Sequence, residues 1–188
     1  KLDSEKLRMW EGGEVTLHGE TRYGESVNSS AGTLLSPNLM LAVPQANGSV
    51  SALTGVTFTQ SLSDEILLFG GKLNTLEDYA QPLTGANNLN GFQNTAMLYN
   101  PVYARTIPYS TLGAGFSLIR EEETLFSACV YDTNDSTTVS GFSTFFNNGA
   151  TLYSEFFLPT TVFDLPGHHG IGGAYSSGKY TSLTPSAY

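Results

Sequence analysis

EILLFGGKLN, residues 65–74, is one of several blocks of about ten residues in which apolar and polar side chains alternate. STLGAGFSLI (110–119) and TLFSACVYD (124–132) are others. A side-chain period of two describes a strand with two different faces. In a soluble β-protein the apolar face turns inward against a second layer. Here the polar phase holds small residues, Lys, Glu, Arg and Tyr, and large aliphatics are too few to fill a two-sheet core. That inversion predicts an all-β, antiparallel transmembrane barrel with lipid outside and water inside.

The same pattern spreads outward from this block. Residues 14–27 place Val15, Leu17 and Tyr23 on one face and His18, Glu20 and Arg22 on the other. Residues 50–62 set Val56 and Phe58 against Thr57 and Thr59, and the Ser63-Asp64 turn leads into 65–74. The charged turn Arg120-Glu121-Glu122-Glu123 joins 110–119 to 124–132. Residues 150–158 alternate again, 164–167 read as a turn, and 170–180 as a last strand. Between them lie a polar lead (1–13), a loop at 28–48 with a helical turn at 39–42, a long connection at 75–109 and a polar loop at 133–148. A connection as long as 75–109 is usually functional. The count is about seven strands, whereas bacterial barrels use an even number and leave no open edge. Residues 1–188 therefore read as one barrel domain, a partial one, unless an eighth strand lies within a loop.

Composition agrees. The length suits one domain or part of a large barrel. Only 13% of residues are charged, against 40% hydrophobic and 12% aromatic, with ten Tyr, eleven Phe and one Trp. Middling hydropathy is what a barrel shows, because half of each strand meets water. A net charge of −9 argues against nucleic acid as a partner, since that needs a basic stripe. The one cysteine, Cys129, excludes an internal disulfide and a cysteine metal cluster. No run approaches the ~18 apolar residues of a membrane helix. The chain starts at Lys1, which implies a removed leader or a fragment.

NPVYARTIPYSTLGAG (100–115), GKLNTL (71–76), HGETRYGESVN (18–28) and FFLPTTVFDLPGHHG (156–170) fall in an order that resembles the carbohydrate-selective porins of the OprB family. The resemblance runs from about residue 7 to 183. It implies a sixteen-stranded barrel in the bacterial outer membrane that passes small sugars by diffusion. This chain holds about half of one. The implied partners are small sugars, outer-membrane lipid, the remaining strands of the barrel and, as an option, a second copy of the chain.

The residues speak to a sugar path on their own account. The inward-phase set is His18, Glu20, Arg22, Thr57, Thr59, Lys72, Asn74, Tyr131, Tyr153 and Glu155. The outward set includes Val15, Leu17, Val56, Phe58, Leu67, Phe69, Leu73, Leu112, Ala114, Phe116, Leu118, Phe126, Ala128 and Val130. Sugars are neutral polyols, so a path for them needs hydrogen-bonding groups of both signs and aromatic faces, whereas a ring of one charge selects ions. Arg22, Lys72 and Arg105 against Glu20 and Glu155, with Asn74 and Tyr153, form such a set. The bland alternative is that these charges only solvate a wet wall. Arg105 reads either as a loop arginine folded into the pore or as a structural partner of a loop carboxylate such as Asp78.

Other signals are weak. Residues 173–179 match part of a Walker A pattern, but Tyr180 stands where Ser or Thr belongs. Residues 132–135 lack the glycine and distal Glu of a calcium loop. His168-His169 has only Asp164 nearby as a further ligand type and reads as a turn. No cofactor and no metal is expected. The competing readings are a soluble carbohydrate-binding β-sandwich, with large aliphatics inward, and a glycosidase, which needs facing carboxylates ~5–10 Å apart. Glu20 and Glu155 are the pair to consider there, and the sequence favours a channel over an enzyme.

Overall fold

The computed structural model of the chain describes residues 1–26, 30, 32, 36–39, 43–44, 47–76, 94–95, 103–121 and 123–180, with 47 and 104 as backbone alone. They form one eight-stranded antiparallel sheet in which each strand pairs with its sequence neighbours. The strands are β1 (Leu2–Asp3), β2 (Gly13–Glu25), β3 (Asn47–Ser63), β4 (Ile66–Asn74), β5 (Ser110–Arg120), β6 (Glu123–Asp132), β7 (Ala150–Val162) and β8 (Leu165–Ser176). The eighth strand is thus β1, inside the polar lead, and β1 and β8 are the two edges of the sheet. The helical turn expected at 39–42 lies mostly outside the described residues.

Short turns gather at one end of the sheet and the connections 26–46, 75–109 and 133–149 at the other. The β7–β8 hairpin turns on Phe163 and Asp164, with φ of 52° and 62°, and Val162 pairs with Leu165 across it. Two consecutive positive φ angles make the type I′ geometry that matches strand twist. Phe-Asp lacks the usual Asn-Gly signature, so the sequence reads as a turn over 164–167, which includes Asp164 but runs three residues too far. For the same reason His168 and His169 lie in β8, paired with Pro159 and Leu158, rather than in a turn. Pro159 is tolerated because β6 pairs with β7 only as far as Phe156, leaving one side of the strand without a ladder.

Paired residues share a face, so the register reads out both surfaces. One row runs Val15–Phe58–Gly70–Ala114–Val130–Leu152–Tyr175. The row beside it continues Leu68–Phe116–Ala128, and below it lie Ile66, Leu118, Phe126, Phe156 and Ile171. Ring centroids of Phe116 and Phe126 are 5.8 Å apart and those of Phe126 and Phe156 6.5 Å. Among the described residues no second sheet covers this face, and only the β6–β7 connection lies on part of it: Leu152, Ile171 and Tyr175 remain 50%, 72% and 73% exposed. Leaving such side chains in water forgoes roughly 1.5–3 kcal/mol each. The opposite face reads Thr16–Thr57–Gly71–Gly113–Tyr131–Thr151–Ser176 and Glu14–Thr59–Phe69–Gly115–Cys129–Tyr153–Ala174. Among the described residues the two-layer packing that a sandwich requires is not seen.

β4 is phased opposite to expectation. Lys72 pairs with Val56 and Leu112 and so lies on the apolar face, while Leu67 and Phe69 pair with Ser61 and Thr59 on the polar one. Leu73, paired with Thr111, is also on the polar side. The cause is local. Apolar residues occupy both phases of β4, and glycines on β5 make room inside: a Cβ on Gly115 would meet Phe69 Cζ at 2.7 Å, and one on Gly113 would meet Leu73 Cδ1 at 3.0 Å.

Gly71 is fixed by its backbone. Its φ is +130°, and a Cβ there would sit 2.2 Å from the Val56 carbonyl oxygen. Gly71→Ala is expected to destabilise the folded sheet by about 1–3 kcal/mol. Urea unfolding in lipid vesicles measures it, and a midpoint equal to that of the parent protein would refute it.

Candidate functional site

The polar face carries a connected cluster at its long-loop end. A β-bulge interrupts the β2–β3 ladder between His18 and Gly19: Gly55 pairs with His18, Leu53 with Gly19, and Thr54 is the extra residue. Bulges re-aim side chains. Here Thr54 is fully buried and its hydroxyl donates to Glu20 Oε1 at 2.8 Å. Glu20, with its side chain 6% exposed, gathers further donors. Arg22 Nη2 donates to Oε2 at 2.9 Å, Asn74 Nδ2 to Oε1 at 3.2 Å, and the Tyr109 hydroxyl to Oε1. His18 Nε2 lies 3.4 Å from the same oxygen. Arg22 Nε also donates to the Val43 carbonyl at 3.3 Å. Burial first, and then the Glu20 carboxylate, pushes the Tyr109 hydroxyl above the usual tyrosine range, so it remains a donor. Glu20 thus holds three strands and one loop end together.

The second group lies on β7. Tyr153 donates to Glu155 Oε2 at 2.7 Å, and both project from the polar face. The ring of Tyr103, in the 3₁₀ turn Tyr103–Arg105, meets Tyr153 edge-on at 5.3 Å. Thr151 Oγ1 donates to the Thr106 carbonyl at 2.7 Å, Thr75 Oγ1 donates to the Pro108 carbonyl at 2.8 Å, and Ile107 is buried. Residues 103–109 are therefore laid against the polar face, and Arg105 within them is exposed. Asp78, the partner considered for Arg105, lies outside the described residues.

The register thus draws Glu20, Arg22 and Asn74 into one cluster and Tyr153 with Glu155 into another beside Arg105. Lys72 belongs to neither: its ammonium donates to the carbonyls of Val139 at 2.8 Å and Thr137 at 3.4 Å, in the β6–β7 connection. His18 has the inward phase the sequence gives it, whereas Thr54, Tyr103 and Tyr109 are absent from the sequence-derived candidates. A bulged residue has no phase to read, and the two tyrosines reach the wall through a loop. Among the described residues no group of three or more His, Cys, Asp or Glu could hold a metal ion.

A single sheet, greasy on one side and hydroxyl- and glycine-rich on the other, with residues 103–109 packed onto the wet side, defines the wall of a porin-class β-barrel. The family model of the carbohydrate-selective porins, OprB family, matches residues 1–187, and the chain belongs to that family. Among solved structures it is similar in fold to the high-pH structure of Pseudomonas putida OprB, with a TM-score of 0.69 and 22% sequence identity. That match covers 94% of this chain and 44% of the other, so the chain spans less than half the length of that structure. Comparison with curated proteins gives no match.

Proposed function

We propose that the chain is part of the wall of an outer-membrane channel through which small sugars diffuse passively. The observation that carries this reading is the separation of faces: an apolar surface that no second sheet covers on one side, and a polar surface against which residues 103–109 pack on the other. A sheet with open edges in lipid leaves backbone groups unsatisfied. The β1 and β8 edges therefore need partner strands, and the family's sixteen-stranded barrel supplies the count. Residues 1–188 then belong to one barrel domain, with lipid on its outer face. No step in diffusion requires a nucleophile, metal or cofactor.

The lumen groups in this reading are Glu20, Arg22, Asn74, Arg105, Tyr153 and Glu155. Charges of both signs with hydroxyls and an aromatic edge suit neutral polyols. Glu20 is committed to its protein partners, so it shapes the path. Tyr153 and Glu155 on the polar face and the exposed Arg105 are the groups this reading assigns to contact with sugar. Planar-bilayer recording on the assembled barrel tests this. Glucose and its short oligomers should reduce the conductance. Tyr153→Ala should raise the half-blocking concentration roughly 2- to 10-fold, and Arg105→Ala should also weaken the block. A conductance indifferent to sugar in the parent protein would refute the proposal.

A further inference from the structure

The outer wall holds a feature that sugar diffusion does not use. Part of the β6–β7 connection, 136–142, folds back over the apolar face. Ser136 docks it, donating its backbone N–H at 2.7 Å and its hydroxyl at 3.1 Å to the Ser110 carbonyl. Gly141, at φ +83°, turns it against Leu112. Between this strap and the sheet lies a groove of about 440 Å³ lined by Leu53, Val56, Leu112, Val139 and Phe142, with Lys72 within it. Among the described residues lining the groove, Lys72 carries the one charge.

A lysine surrounded by apolar side chains on a lipid-facing wall needs an explanation. Its two acceptors are neutral carbonyls, which solvate the ammonium but do not cancel its charge. Asp135 attracts it from nearby, but the Asp135 Oδ1 already accepts from Thr137. An ammonium has three donors, so one is left for an anion. The groove continues the lipid-facing surface and sits at the long-loop end, which in this barrel class faces outward.

We propose that this groove binds a phosphorylated glycolipid of the outer leaflet, its acyl chain against Leu53, Val56 and Leu112 and its phosphate on Lys72. The inference rests on the outer-membrane reading. Phosphate on a lysine ammonium is a charge-assisted contact, and basic pockets on membrane walls commonly take lipid headgroups.

Native mass spectrometry of the assembled barrel tests it, with bisphosphorylated lipid A, the same lipid stripped of phosphate, and phosphatidylglycerol as probes. The parent protein should retain lipid A. Lys72→Gln should lower retention by about tenfold, Lys72→Arg should keep it, and Phe142→Ala, in the exposed strap, should weaken it severalfold. Dephosphorylated lipid A should not be retained. Unheated gel mobility verifies that each variant is folded. Equal retention by Lys72→Gln, equal binding of phosphatidylglycerol, or a Lys72-dependent dimer would overturn the site. So would a change in sugar block on Lys72→Gln, because that would place the ammonium in the lumen. Retention of lipid A by a barrel that sugar does not block would instead remove the channel reading and leave the glycolipid site standing.

Discussion

Arginine at Ala128 is expected to destabilise the assembled barrel by about 2–4 kcal/mol, whereas arginine at its neighbour Ser127 should shift stability by less than about 1 kcal/mol. The two positions are adjacent near the middle of β6 and so lie at similar depth. They differ in face. Ala128 pairs with Phe116 and Ser154 on the apolar surface; Ser127 pairs with Ser117 and Glu155 on the polar one. Alanine has little side chain to lose, so the effect reports the transfer of a guanidinium into hydrocarbon. At Ser127 the new cation meets water and stands opposite Glu155. Urea unfolding in vesicles, read through Trp10, measures both. Trp10 is a usable reporter because it rests on the same wall, 6.1 Å from the Phe58 ring and donating to Gln60 at 2.8 Å. A larger effect at Ser127 than at Ala128 would reverse the inside and the outside of the wall.

Glu20→Ala is the second large effect, on the order of 3 kcal/mol. The carboxylate is nearly buried and accepts from Thr54, Asn74, Tyr109 and Arg22. Its removal leaves the Arg22 guanidinium, 23% exposed, without its ion partner and several donors without an acceptor. Glu20→Gln keeps an acceptor oxygen and should be milder. Removing Arg22 as well should recover part of the loss, because the unpaired charge goes with it. The same urea titration gives all three values. A loss below about 1 kcal/mol for Glu20→Ala would mean that water substitutes freely for the carboxylate, as at a surface pair.

Much of this architecture was legible in the chain, for physical reasons. β2, β5 and β6 hold most of their apolar residues in one phase, so both their existence and their facing follow from period two. β4 does not, because Ile66 and Leu68 occupy one phase and Leu67, Phe69 and Leu73 the other. Taking Lys72 as the marker of the wet side inverted it. A lysine is a poor marker, since its long stem allows the head to find polar company from either face. The β7–β8 turn was displaced because Phe163 and Asp164 adopt left-handed angles without an Asn or Gly to announce them. The candidate site was half legible. Glu20, Arg22, Tyr153 and Glu155 alternate along their strands, but the bulge at Thr54 and the packing of residues 103–109 on the wall depend on contacts between elements far apart in sequence.

The unbroken strand order has a consequence for how such a wall is made. Every ladder joins neighbours along the chain, and three of the hairpins close over two-residue links. Their closure entropy is small. Each of these three hairpins can therefore zip from its own turn without searching for a remote partner. The slow event left over is sealing the first strand of the complete cylinder against its last.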